Sequence, residues 1–345
     1  AAYGRLWTAD FATDKSTVYW SDLLIGHDWL GGTSGSINLS KVWPDGHDEV
    51  VALSAHNNKL IIFGQRSIVV YEGADSPATM ALSDTVVGVG CVGRDTIQHT
   101  GVDVIFLSHT GLKSFGRTIQ EKSMPLSSLS GTITTDIIQV LREANEVYKS
   151  VYHPEENFYL LTFVNQNITY CFDVRGTLEN GSYRVTRWPG TSFTCYERKS
   201  EGTLLIGSSL GIGQYSGFQD NGGSYGFKYF SPELSFGDPS KLKFLKKLRP
   251  TIVGGSGLNI FLKWDYDFGS SYNAAFITLK DEAKAEFGLD EYTVGQFSDG
   301  VLTSKQAINT NGSGGTLSIG MEADINGEEL SLQEINVLAL VGKTI

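Results

Sequence analysis

The sequence predicts an all-β protein: a β-propeller of five to six blades with one helix inserted near residues 132–145, followed by a second antiparallel β domain. Three observations predict it. Forty glycines stand against eight prolines in 345 residues, with 15 Tyr and 18 Phe, the usage of a chain with many turns between aromatic-rich strands. A strand–turn–strand pattern recurs, its turns at Gly64, Ser108, Val164 and Ser208 spaced by 44, 56 and 44 residues. A period of roughly 40 to 50 residues with three or four strands per repeat is the signature of propeller blades, whereas a β-sandwich has no reason to space equivalent turns evenly.

The repeats begin loosely with YGRLWTADFATDKSTVYWSD (Tyr3 to Asp22). The clearest copy is AHNNKLIIFGQRSIVVYEG (Ala55 to Gly73), two apolar runs about a turn at Gly64 to Ser67. GVDVIFLSHTGLKSFGR (from Gly101) has the same layout, as do ENFYLLTFVNQNITYCFD (from Glu156) and EGTLLIGSSLGIGQYSG (from Glu201). Further short strands precede several copies, within Val50–Asn58, Asp95–Gly101, Tyr148–Glu156 and Ser192–Gly202, so each unit has at least three antiparallel strands.

The long spacing has a visible cause. In TITTDIIQVLREAN (Thr132 to Asn145), Ile133, Ile137, Ile138 and Leu141 follow helical spacing. Thr132 is the expected N-cap, with Asp136 near the positive end of the helix and Arg142 near the negative end.

The pattern stops near Phe218, and DNGGSYG (Asp220 to Gly226) reads as a linker, dividing the chain into a propeller domain over 1–220 and a second β domain over 221–345. There KLKFLKKLRPTIVGG, LNIFLKWDYDF, TLSIGMEADI and LSLQEINVLALVG alternate apolar and polar residues as half-buried strands do. Residues 282–300 lack strand patterning and are expected to form an excursion or a partner contact.

Catalytic chemistry is sought and mostly not found. GVGCVG (Gly88 to Gly93) matches a dinucleotide fingerprint formally, but a strand-like segment follows it, so close backbone approaches between blades explain its glycines better. The six histidines show no metal-binding spacing, and His56, His109 and His153 are expected at the surface. Cys91, Cys171 and Cys195 are too few and too scattered for a disulfide framework or a zinc site, and buried thiols are expected. Asp10, Asp22, Asp103 and Asp173 are the carboxylates that a glycoside hydrolase would need in pairs, and Trp7, Trp20 and Trp43 are aromatics that could stack on sugars. A carbohydrate-binding or glycoside-hydrolysing propeller is therefore the alternative reading. No catalytic residue, metal ligand or cofactor site is assigned.

Charge narrows the partners. With 27 Lys and Arg against 38 Asp and Glu, the formal net charge is -11, which disfavours a general grip on nucleic acid but lets a duplex pass without sticking. KLKFLKKLR is the one concentrated basic feature. On a regular strand Lys241, Lys243, Leu245 and Lys247 point one way and Leu242, Phe244, Lys246 and Leu248 the other. Lys241, Lys243, Lys246, Lys247 and Arg249 are the candidate contact to a neighbouring subunit or to DNA, against the plainer reading of a lysine-protected strand. No apolar run approaches the ~18 residues of a membrane span and no signal-like region opens the chain, so a soluble chain made in a reducing cell is expected.

Several runs carry a family resemblance. LSAHNNKLIIFGQRSIVVYEG, TGVDVIFLSHTGLKSFGRTIQEKSMPL and YCFDVRGTLENGSYRVTRW, with the late FGDPSKLKFLKKL and MEADINGEELSLQEINVLALVGKTI, resemble the tail nozzle proteins of short-tailed bacteriophages, also called tail tubular protein B and similar to packaged-DNA stabilisation hubs. The likeness runs from Tyr3 to Ile345 and rests on overall pattern. It implies a structural protein of the virion tail, made in the host bacterial cytoplasm, without catalysis or cofactor. It also implies a hexameric ring below the portal and adaptor, contacts with tail fibre or spike proteins, and double-stranded DNA passing through the channel without sequence-specific binding or membrane insertion.

Overall fold

The computed structural model describes residues 1–121, 128–143, 145–279 and 303–344. The chain is all-β, built from several antiparallel sheets, and divides into two units, Ala1–Tyr215 and Ser216–Ile345. The excursion expected at 282–300 lies outside the described residues.

The described residues of unit one form five small sheets in chain order. Sheet one holds Trp7–Thr8 (β1), Thr17–Trp20 (β2) and Gly35–Asn38 (β3), and sheet two holds Val50–His56 (β4), Lys59–Gly64 (β5), Ser67–Glu72 (β6) and Ala81–Val87 (β7). Gln98–His99 (β8), Val104–Ser108 (β9) and Gly111–Ser114 (β10) make sheet three; Tyr148–His153 (β11), Phe158–Phe163 (β12), Ile168–Thr177 (β13) and Tyr183–Pro189 (β14) make sheet four. Sheet five is Phe193–Arg198 (β15), Leu204–Ser208 (β16) and Gly211–Gln214 (β17). Each is a meander in which consecutive strands pair.

The sheets stack face to face, and the alternation of side chains shows how. Leu60 and Ile62 of β5 share an apolar cluster with Val18 of sheet one, while Ile61 and Phe63, on the opposite face, join Val104 and Phe106 of sheet three. Ile105 and Leu107 of β9 turn the other way, to Tyr159, Leu161 and Phe163 of sheet four, and Phe158 and Leu160 meet Leu204 of sheet five. This explains why LIIF, VIFL and FYLL are continuous apolar runs: both faces of the strand are buried. Each such side chain contributes about 1.5–3 kcal/mol.

The inserted helix is shorter than the sequence pattern suggests. A 3-10 turn at Gly131–Ile133 leads into α2, Thr134–Leu141, so Thr132 is not the N-cap, and no side chain caps the helix start at Ile133. The Thr134 hydroxyl instead donates to the Ser130 carbonyl at 2.9 Å. Ile137 is the fully buried anchor, in the cluster between sheets three and four. A second helix, α1 at Phe115–Gln120, replaces the strand continuation expected in LKSFGR. The Ser114 side chain caps it by accepting from Arg117 N at 3.2 Å.

Among its described residues, unit two has two sheets. Tyr225–Phe230 (β18), Leu317–Ile325 (β25), Asn259–Tyr266 (β20) and Asn273–Thr278 (β21) form one in that spatial order. In the other, Lys241–Gly254 (β19) pairs along one edge with Leu330–Thr344 (β26) and along the other with the short Thr303–Ser304 (β22), Ile308–Asn309 (β23) and Ser313–Gly314 (β24). Leu245, Leu248 and Ile252 pack with Ile260, Leu262, Trp264, Ile319 and Met321 in the core between them.

Candidate functional site

The basic strand does not present its lysines as a regular strand would. The β19–β26 register shifts between Lys241 and Lys243, between Leu245 and Lys247, and between Thr251 and Ile252. Each irregularity resets which face the following residues occupy. Lys243 keeps to the face of Leu245, as alternation predicts, but that face is the inward one. It is 2% exposed and donates to the carbonyls of Asp238 and Gly315, the latter at 2.7 Å, and the shift between Leu245 and Lys247 then brings Leu248 inward as well. It is a structural lysine and leaves the candidate contact set. Lys246, Lys247 and Arg249 are exposed, and Lys241 is exposed with its ammonium 3.5 Å from the Asp238 carboxylate. Phe244, expected on the inward side with Leu248, is instead exposed, with Lys246 Nζ 6.0 Å from its ring centre. Leu338 and Leu340 of β26 are exposed beside them, paired with Lys247 and Phe244.

A cavity of about 560 Å³ opens between sheets two and three, lined by His56, Lys59, Asp84, Asp103, Phe115 and Arg117 among others. It is not legible in the sequence, because its walls come from segments up to about sixty residues apart and α1 occupies residues that read as strand. Its charged groups are tied into the fold. Lys59 Nζ donates to Ser83 Oγ at 3.1 Å, and an Arg117 guanidinium N–H donates to the Gly181 carbonyl at 2.8 Å. Asp103 accepts from Gly116 N at 2.9 Å, Val104 N at 2.7 Å and the Ser114 hydroxyl, fixing the start of α1. Nearby, His56 and His99 come together with ring centres 6.2 Å apart, and Ser54 Oγ lies 2.9 Å from His99 Nε2. Burial first and the facing His56 second lower the His99 pKa, which keeps the ring neutral at neutral pH.

The carboxylates considered for glycoside hydrolysis are each engaged locally. Asp10 pairs with Lys15, Asp22 accepts from Leu23 N and from Thr33 N and Oγ1, and Asp173 is gripped through both oxygens by Arg175. The Arg175 contact holds the Asp173 carboxyl below the usual range. Trp20 and Trp43 are buried, and Trp7 leans on Trp20 at 5.5 Å with its Nε1 donating to the Ala2 carbonyl. Trp20 and Trp43 serve packing, and Trp7 is half-buried. His153 is buried against Phe158 at 4.9 Å rather than lying on the surface. Among the cysteines, Cys91 is buried with its thiol pushed up to about 11, Cys171 is half-buried with its thiol at about 12, and Cys195 is exposed, contrary to the expectation of a buried thiol. No group of three His, Cys, Asp or Glu among the described residues is arranged to hold a metal ion.

Of the GVGCVG glycines, Gly90 is a close backbone approach, whereas Gly88 has positive φ and open space around it. A Cβ on Gly90 would stand 2.2 Å from the Gln65 carbonyl carbon and 2.4 Å from Arg66 N, while Cys91 N donates to the Gly64 carbonyl at 2.9 Å. The segment crosses directly over the turn between β5 and β6, and only a residue without a side chain fits there.

No family model matches the chain, and no curated protein matches it. Solved structures give distant likenesses: the "AfRom2 CNH domain" (14% identity, TM-score 0.33, covering 63% of this chain), PorZ of the type-IX secretion system of Porphyromonas gingivalis (14%, 0.26, 58%), and a Bacillus thuringiensis Cry1Da tryptic core variant (9%, 0.20, 84%). The chain spans 62%, 23% and 50% of those proteins' own lengths. None of these scores reaches the level of a shared fold, and no argument is drawn from them.

Proposed function

We propose that this chain is a structural protein of a phage tail, part of the nozzle or hub ring through which packaged DNA is retained and then ejected. The observation that carries the reading is the resemblance of its sequence runs to nozzle proteins over nearly the whole chain. Those runs fall on strands here: LSAHNNKLIIFGQRSIVVYEG covers most of β4 with β5 and β6, GVDVIFLSHTGLKS covers β9 and β10, and FGDPSKLKFLKKL and LSLQEINVLALVGKT cover the first half of β19 and all of its partner β26. In this reading the five stacked meanders are propeller blades, α1 and α2 are the insertion between the third and fourth, and the protein assembles as a hexameric ring with portal, adaptor and tail fibre or spike proteins as neighbours.

Two physical features favour it over catalysis. The carboxylates are spent on turns and ion pairs, and two of the three tryptophans of the carbohydrate reading, Trp20 and Trp43, are packed away. The charge of -11 suits a channel wall: about six to ten phosphate contacts would give a grip on DNA that changes about 10³–10⁵-fold between about 50 and 200 mM salt, which a conduit must avoid. The test is imaging and mass measurement of the protein mixed with its adaptor. Closed rings on the adaptor are expected; a chain that stays monomeric and enters no ring overturns the proposal.

A further inference from the structure

In the four-stranded sheet of unit two, the face turned away from the core carries two carboxylates that the fold leaves half satisfied. Ile260, Leu262 and Trp264 of β20 point into the core, so Asp265 lies on the other face, where it stands opposite Ser318 of β25. Asp265 is 8% exposed; its Oδ1 accepts Tyr266 N at 2.9 Å, while Oδ2 is buried without a hydrogen-bond partner. Beyond the end of β18, Leu234 bridges Leu317 and joins the same core, which turns the preceding Glu233 to the face of Ser318 and Asp265. Glu233 repeats the pattern: Oε1 accepts Phe268 N at 3.2 Å, and Oε2 is buried without a partner.

Glu233, Ser318 and Asp265 thus form one row across three neighbouring segments. From the Phe230–Gly320 pair to the Leu234–Leu317 pair, the first segment advances one residue more than the second, a bulge of the kind that re-aims a side chain. Neighbouring strands lie about 4.8 Å apart, so the two outer backbones stand about 10 Å apart, a span that a Glu and an Asp side chain close from both sides. Only the small Ser318 sits between them, 4% exposed, its hydroxyl donating to the Ser231 carbonyl at 3.1 Å. Gly269 covers the Asp265 side, where an added Cβ would stand 2.3 Å from Oδ2. Among the described residues neither carboxylate has an ion pair, and Lys263, two residues before Asp265 on the same face, is taken by Glu322 at 2.6 Å. Two buried anions, each with an open oxygen, are costly without a positive charge between them, and every donor here is a hard oxygen. We propose that Asp265 and Glu233 are ligands of a calcium ion bound over the Ser318 hydroxyl. Calcium accepts about six to eight oxygens in irregular geometry, which suits a bulged segment facing a turn, whereas magnesium demands a near-ideal octahedron. With water completing the shell, the dissociation constant falls at about 10⁻⁴–10⁻³ M, as for weakly charged sites. The ion ties the segment after β18 to the turn between β20 and β21.

This site is independent of the ring reading. The test uses the full chain, stripped with a chelator and titrated with calcium chloride by calorimetry and thermal melting. Saturable binding of one ion per chain is expected, with a melting temperature that rises in millimolar calcium and rises less in the same concentration of magnesium. Asp265→Asn and Glu233→Gln should each weaken binding at least about tenfold and abolish the rise, with circular dichroism verifying that they are folded. Because the chain carries a net charge of -11, Asp324→Asn, at an exposed carboxylate of β25, serves as the control and should keep the full effect. Terbium luminescence on the parent chain, sensitised through Tyr272, whose hydroxyl lies 3.4 Å from Ser318 Oγ, gives a readout that needs no variant. A parent chain without calcium-displaceable terbium signal, a rise retained in folded Asp265→Asn, or equal effects of magnesium and calcium would each overturn the proposal.

Discussion

The carboxylate of Asp48 accepts the backbone N–H of Arg66 at 3.0 Å, across a separation of 18 residues. It also accepts Gln65 N at 2.9 Å and the Ser67 hydroxyl at 2.6 Å, so a buried residue outside the hairpin holds the β5–β6 turn from within. With Gly90 crossing over the same two peptides, this turn is clamped by two other segments, which marks it as a structural joint and not as a presented loop.

Asp48→Ala is expected to destabilise unit one by about 3 kcal/mol, because bonds to a charged acceptor are worth about 1.5–3 kcal/mol each and are not additive. Asp48→Asn keeps one acceptor oxygen and is expected to cost about half as much. Urea unfolding followed by tryptophan fluorescence measures both; a loss below 1 kcal/mol for the alanine variant would mean that the clamp is dispensable.

Gly90 and Gly88 separate two causes of glycine dependence. Gly90→Ala drives a methyl group into the Gln65–Arg66 peptide, whereas Gly88 has φ +77° and open space around its added Cβ. Gly88→Ala is expected to cost about 1–2 kcal/mol from backbone strain alone, and Gly90→Ala more than about 3 kcal/mol, since backbone cannot yield as a side chain can. Thermal melts of the two variants side by side give the ranking, and equal losses would contradict it.

In the basic strand, Lys243→Met should lose about 2–4 kcal/mol by leaving the carbonyls of Asp238 and Gly315 without their donor. Lys246→Ala and Lys247→Ala should stay within about 0.5 kcal/mol, as exposed substitutions do. Chemical denaturation checks this. The same three variants, assayed for ring formation and for salt-dependent DNA retention, report on any contact role of the strand, with the effect expected in Lys246 and Lys247.

Protonation adds a pH signature in two windows. The folded pKa of His99 lies below its unfolded value of about 6.5, so its contribution is present above pH 6.5 and is lost as pH falls through the folded value. The folded pKa of Asp173 is also depressed, principally by Arg175, so its contribution is present above about pH 4 and is lost on further acidification. Melting temperatures recorded from pH 8 to pH 3 should fall in two stages, and His99→Gln should flatten only the first. A decline in that window unchanged by His99→Gln would assign it to another group.

The sequence by itself determined the all-β class, the recurring hairpins and the change of character after Phe218. These depend on local alternation, turn chemistry and aromatic usage, which are written residue by residue. It also marked KLIIF, VIFL and YLLTF as apolar strands, and their burial on both faces came with the neighbouring sheets. What the tertiary structure alone decided was that the face of β19 holding Lys243 and Leu245 is the buried one, and that a register irregularity between Leu245 and Lys247 then turns Leu248 to the same side, which no pattern within KLKFLKKLR foretells. It also decided that Ser114 starts a helix, with Asp103 accepting from Gly116 N and the Ser114 hydroxyl, that Trp20 and Trp43 serve the core, and that Gly90 lies on the turn at Gln65. Each of these is a contact between segments remote in sequence, and its energy exists only when the partner has arrived.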